Sequence, residues 1–564
     1  MISWLKPVMF VATALFLGWW LIRPEVEAGT FDGHWEERRV FRAYFQEREQ
    51  VYELAAWREP WDVDYEAGFV VLDASEGDAE RLRAAGFRLE MDLARTLSLL
   101  RPPKRLPEQS AGIPEYACYR TVEETFAAAE QLTGAYPELA TWIDAGDSWE
   151  KAAGGDVGYD MHVLRLTNTV RPGPKPGLFV MSSVHAREYA PAELNLRFAE
   201  YLLTQYGVDA DVTWLLDYHA IHLLLQANPD GRKYAESGLL WRKNVNENYC
   251  SPDPAFRGAD LNRNFPFQWG CCDGSSTDTC SEIYRGPSPA SEPETRTVTD
   301  YVKANFPDQR LPDLAAAAPL TATGVFLDVH SYGEWVLWPW GFTFEPAPNG
   351  RALTTLGRRL AYFNDYFPSQ ASGLYPTDGA TDDFAYGELG LAAYTFEVGT
   401  AFFQDCAAFE NEIWPRNLPA LLYAARVARG PYLLPSGPVI RAPALSPISG
   451  TTSYTLTATV NDGRYSDRNG VEPVQSVAAA RFFVDVPPWV PEANPSPLAA
   501  VDGAFDEQVE AVSGSLDAGG LAKGRHIIFI EGEDADGNRG AVSALFLEVA
   551  PAMEEAVYLP VMGK

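Results

Sequence analysis

Between residues 115 and 432, apolar runs alternate with stretches whose apolar positions fall three or four apart. The runs at 161–166, 177–184, 221–226, 325–330 and 392–398 predict strands. Thr121 to Leu132 predicts an amphipathic helix, as does Pro191 to Leu203, where Leu194, Phe198 and Leu202 stand four apart. Such alternation indicates an α/β domain, a mainly parallel sheet with helices on both faces. In sheets of this kind ligands bind beyond the carboxyl ends of the strands.

The texture differs on either side. From about Pro435 the pattern has period two, as in Ser453 to Val460, Ala480 to Val484, His526 to Gly532 and Ala544 to Val549, with turn signals at Asn461-Asp462-Gly463 and Asp536-Gly537-Asn538. This predicts a β-sandwich. Asp534, Asp536 and Asn538 are candidate Ca2+ ligands, weighed against a solvated Asp-Gly turn. Upstream, Gly68 to Leu72 reads as a strand and Asp78 to Gly86 as a short helix closed by glycine. The basic, proline-rich stretch Arg101 to Pro107 follows, an exposed linker open to a protease for basic residues. A small α+β unit ahead of such a linker predicts a prosegment and an activating protease. The apolar stretch from Pro7 to Ile22, followed by Val26-Glu27-Ala28, has the layout of a secretory signal, or of a membrane anchor if it stays uncleaved. The expected organisation is signal 1–28, prosegment and linker 29–108, catalytic domain 109–432, β-sandwich 433–551 and tail 552–564.

A hydrophobic content of 46% fits packed domains, and 564 residues exceed one core. The net charge of −32 argues against nucleic acid or a stable anionic-membrane partner and favours cationic ligands. Six cysteines fit an exported protein. Four lie in residues 250–280 (Cys250, Cys271, Cys272, Cys280) and predict stapling of a long loop, with Cys118 and Cys406 a further candidate pair. Fifteen connectivities remain open.

The chemistry sits at strand ends. His185 and Glu188 follow the run at 177–184 three residues apart, and His330 ends the run at 325–330. Two imidazoles and a carboxylate match a catalytic zinc site, which takes three protein ligands and leaves a position for water. A lone strand-end histidine would be a hydrogen-bonded structural residue; the combination changes that reading. Further along come Asn228-Pro229-Asp230-Gly231, Trp241-Arg242, Gly258-Ala259-Asp260-Leu261-Asn262-Arg263-Asn264, Leu374-Tyr375-Pro376, Thr381-Asp382-Asp383 and Phe396-Glu397-Val398.

In this order the residues of 115–430 resemble the zinc carboxypeptidases of the funnelin type. The resemblance implies an eight-stranded mixed sheet and one catalytic Zn2+ on His185, Glu188 and His330. It implies Glu397 as general base and Arg242 as oxyanion stabiliser. It also implies substrate contacts from Arg187, Asn262, Arg263 and Tyr375, with peptide or protein C-termini as partners. Asp382 falls at the floor of the pocket for the terminal side chain, which resembles the subgroup that releases Lys or Arg. The interval from Glu188 to His330 is longer than in the digestive members, and an insert at 305–323 accounts for much of it; extra loops near the site would narrow or redirect the substrate range. Two rival readings are the same machinery acting on cell-wall stem peptides and a catalytically silent protein that binds through its β module.

Overall fold

The computed structural model describes residues 38–99, 104–106, 108–154, 157–250 and 256–549. The expected signal, part of the linker and the tail lie outside these residues.

Eight strands form a mixed sheet in the order Phe367–Gln370, Trp335–Trp338, Ala392–Glu397, Val325–His330, Gly177–Ser182, Ala220–Leu224, Asp160–Leu166 and Ala140–Asp147. The four strands from Ala392–Glu397 through Ala220–Leu224 are mutually parallel. Antiparallel pairings occur only towards the flanks. All six residues of Gly177–Ser182 and of Val325–His330 are buried, which is why these strands read as largely apolar runs, with Asp328 the charged exception. The expected helices run Val122–Ala135 and Tyr189–Gln205. Thr121 starts the first by accepting the Glu124 amide, while Glu124 reaches back to the Thr121 amide.

Residues 39–91 form a separate four-stranded antiparallel sheet, ordered Asp62–Asp64, Phe69–Ala74, Arg39–Tyr44 and Arg88–Met91. The helices Arg48–Ala55 and Glu76–Ala84 accompany it. This unit docks on the large domain through Val40, Trp61 and Val71, which pack with Tyr332 and Phe402.

The C-terminal strands make one continuous seven-stranded antiparallel ladder. Ser496–Ala500 pairs at one end with Val477–Val484 and at the other with Val509–Asp517, so it joins the two layers of the expected sandwich. The edge strands Val439–Pro447 and Ser543–Val549 touch, giving a near-barrel. Phe483, Phe529, Val542 and Ala544 belong to the same hydrophobic core as the large domain.

The insert at 305–323 does not reach the site. Gln309 donates its amide to the Leu389 carbonyl, and Arg310 donates to the Gly387 carbonyl. The insert thus leads into the amino end of Val325–His330, whereas His330 closes the opposite end.

Candidate active site

Strand ends create the site. His185 lies three residues past Gly177–Ser182, after Ser183 turns the chain at φ +59°. Glu188 is the residue before the helix Tyr189–Gln205. His330 and Glu397 end adjacent parallel strands and are register partners.

The His185 and His330 Nδ1 atoms are 3.1 Å apart. Glu188 places Oε1 2.7 Å from the first and Oε2 3.3 Å from the second. Two nitrogens bound to one tetrahedral zinc at ~2.1 Å lie roughly 3.4 Å apart, so the donor set fits that ion. The remaining ring nitrogens have carboxylate partners. His185 Nε2 is 3.3 Å from Asp260 Oδ1, and His330 Nε2 is 2.8 Å from Asp328 Oδ2. An Nε2–H donated to a carboxylate fixes the tautomer that leaves Nδ1 free for a metal.

Among the described residues this is the one cluster of three donors able to hold a metal. The calcium expectation finds no support. The Asp534 carboxylate instead accepts the backbone and side-chain N–H groups of Asn538, both at 2.8 Å, and so closes its own turn.

Arg242 donates Nε and Nη2 to Asp260 Oδ2 at 3.1 and 2.8 Å. Burial would raise the Asp260 carboxyl, but the adjacent guanidinium holds it well below the usual range. Glu397 has the opposite shift. Burial pushes its carboxyl well above the usual range, with Glu188 and Glu59 adding to the rise and His330 opposing it.

Glu59, from the N-terminal unit, enters the cleft. Its carboxylate is 3.4 Å from Arg242 Nη1 and 3.3 Å from Arg263 Nη2, and it accepts the Tyr375 hydroxyl at 2.8 Å. Residues 59–63 roof the space beside His185, Glu188 and Glu397, leaving a cavity of about 30 Å³. That is room for water and not for an amino acid.

The other expected residues lie around this centre. Arg263 is anchored by Nε to the Gly274 carbonyl at 3.0 Å. Asn262 accepts the Thr381 amide at 2.9 Å. Arg187 is fully buried, 4.2 Å from the Phe402 ring, and donates one nitrogen to Glu282 at 3.3 Å. Asp382 is buried at the start of Thr381–Leu389, with Oδ1 accepting the Asp383 amide and Oδ2 lacking a partner. Burial, helped by Asp328, lifts its carboxyl to about 6.

Sequence reasoning missed Asp260, Asp328, Glu59 and Asp378. Asp328 carried a signal, a charge inside an apolar strand two residues before His330. Asp378 is buried and accepts the amides of Gly270, Cys272 and Gly274. It thereby ties the Tyr375 loop to the loop that anchors Arg263. The cysteines pair as Cys118–Cys406, Cys250–Cys280 and the adjacent Cys271–Cys272.

A zinc carboxypeptidase family profile matches residues 126–418, just over half of the chain. Carboxypeptidase A4 of Mus musculus is 27% identical over 361 residues, covering 61% of this chain and 79% of that protein. Carboxypeptidase B2 of Bos taurus is 26% identical over 326 residues, 56% of this chain and 70% of that one. The zinc carboxypeptidase of Saccharothrix mutabilis subsp. capreolus is 30% identical over 293 residues, 50% and 62% respectively. Among solved structures, carboxypeptidase A from Helicoverpa armigera has a TM-score of 0.57 at 21% identity, covering 70% of this chain and 98% of that one. This likeness is one of fold. The profile's span contains the His–Glu–His cluster at the strand ends, and the chain belongs to the zinc carboxypeptidase family of metallohydrolases.

Proposed function

We propose that the chain is the precursor of an exported exopeptidase that trims peptide C-termini and prefers basic residues, with residues 38–99 as the inhibitory prosegment. The observation that carries this reading is the Glu59 carboxylate held by Arg242, Arg263 and Tyr375. These groups form a receptor for a carboxylate, and a peptide's terminal carboxylate takes that place once the segment departs. A receptor for a chain end explains trimming over internal cutting. Three disulfides support export.

Zinc on His185, Glu188 and His330 would polarise the scissile carbonyl and bring the pKa of water toward ~7. Glu397 takes the proton of the attacking water and delivers it to the leaving amine as the C–N bond breaks. A carboxyl raised by burial suits a group that must carry a proton between two transfers. Arg242, braced by Asp260, has an Nη1 that Glu59 gives up on leaving and that then meets the developing oxyanion. Asn262, Arg263 and Tyr375 hold the terminal carboxylate, and Arg187 contacts the substrate further from its end. Asp382 supports a basic preference because its buried Oδ2 lacks a partner that an ammonium or guanidinium would supply.

The test is trypsin cleavage in the exposed stretch 104–106, followed by assay on benzoylglycyl-Arg and benzoylglycyl-Phe with and without a chelator. The expected result is roughly 100-fold preference for Arg, abolished by the chelator. Equal rates would refute the basic preference alone. No hydrolysis of either by the zinc-loaded chain once the cut segment has been removed would refute the exopeptidase reading.

A further inference from the structure

A second cavity, of about 460 Å³, lies between the large domain and the C-terminal near-barrel. Its volume falls within the range of small-molecule sites. The walls are largely apolar, with Leu433 and Leu434 on one side and Pro488, Trp489 and Val542 on the other.

The polar groups divide sharply. Arg426 is paired with Asp211 at 2.7 Å, Arg539 with Glu533 at 3.1 Å, and Glu531 with Arg481 at 3.1 Å. Arg429 has no carboxylate within ion-pair distance among the described residues. It stacks 4.5 Å from the Trp489 ring and makes one long bond, 3.4 Å, from Nη2 to the Tyr218 carbonyl. Its Nε is buried without a partner. Burial pulls the guanidinium down to about 10, the direction expected where no anion compensates it. Beside it, His219 is 1% exposed, and burial, then the neighbouring Arg429 charge, hold its imidazole neutral, well below the usual range.

Stacking on Trp489 accounts for the position of the Arg429 plane. It leaves unexplained a partly buried charge without a counter-ion in a chain of net charge −32. The two terminal guanidinium nitrogens form a fork that can bind a carboxylate through two parallel bonds. The neutral histidine adds no competing charge, and the aromatic and aliphatic walls accept a flat or branched body.

We infer that this cavity is a binding site for a small organic carboxylate with an apolar body, gripped by the Arg429 guanidinium and stacked against Trp489. It is separate from the catalytic cleft and does not depend on the proposed substrate preference.

The experiment is ligand-detected NMR titration of the full chain with benzoate, benzyl alcohol and inorganic phosphate. Benzoate is expected to bind at least about tenfold more tightly than either of the others, and Arg429→Gln to weaken it about tenfold. Leu433→Trp, which fills the cavity and leaves the arginine intact, is expected to weaken it similarly. Arg263→Gln, in the catalytic cleft, is expected to leave benzoate binding unchanged. The inference is overturned by any of three results: benzoate binding unaltered in both Arg429→Gln and Leu433→Trp, loss of binding in Arg263→Gln alone, or phosphate binding as tightly as benzoate. Failure of benzoate to bind at all overturns it too.

Discussion

Glu59 and Arg263 stand 3.3 Å apart, although 204 residues separate them along the chain. The carboxylate comes from the small N-terminal unit and the guanidinium from the catalytic cleft, with both buried. Burial alone would raise Glu59, yet Arg242 and Arg263 keep its carboxyl below the usual range.

Replacing Glu59 with Gln is therefore expected to loosen the roof of the cleft. A charge-assisted bond is worth about 1.5–3 kcal/mol, so the uncut chain should gain roughly 10–100-fold in basal peptidase activity. Hydrolysis by uncut Glu59→Gln that stays at the level of uncut wild type rules out this contact as the lock.

Asp260 serves two partners, His185 and Arg242. Asp260→Asn should lower zinc affinity by about 10–100-fold, as read by competition with a chromogenic chelator. It should also lower kcat, because Arg242 loses its brace. Zinc affinity equal to wild type would show that the carboxylate does not position His185.

Asp73 is buried against Arg58 and Arg38. Burial would raise its carboxyl, but Arg58 and then Arg38 hold it well below the ordinary range. A folded value below the unfolded one contributes stability that is present above the unfolded pKa of about 3.9 and is lost as pH falls through the folded value. Proteolysis of the N-terminal unit should accelerate as pH drops below about 4, and Asp73→Asn should flatten that dependence. An equally steep acid response in the variant would assign it to other groups.

Asp378→Ala removes the acceptor shared by the Gly270, Cys272 and Gly274 amides. The cost should be about 3 kcal/mol in a denaturant melt, since buried donors are left unpaired. After activation the variant should show a raised KM with kcat largely kept, because Arg263 leans on this loop through Gly274. A fall in kcat at constant KM would contradict that role.

The His–Glu–His cluster was legible because His185, Glu188 and His330 stand at the ends of apolar runs, where short-range pattern and chemistry coincide. Glu397 and Arg242 were legible only through the ordered set of motifs. Asp260 lay inside one of those motifs, but its service to His185 and Arg242 is tertiary and leaves no local mark. Glu59 carried no signal at all, since its partners Arg242 and Arg263 are distant in sequence. The short flank strands Trp335–Trp338 and Phe367–Gln370 escaped because four residues are too few to display a period.

The bridge from Cys118 to Cys406 begins just past the basic stretch, and none of the six cysteines precedes it. Once the connection at 104–106 is severed, nothing covalent retains the first hundred residues. If the proposed prosegment is what inhibits, latency then becomes a matter of concentration: dilution should wake the enzyme, returning the severed piece should put it back to sleep, and the midpoint of that titration would measure how firmly the lid was shut.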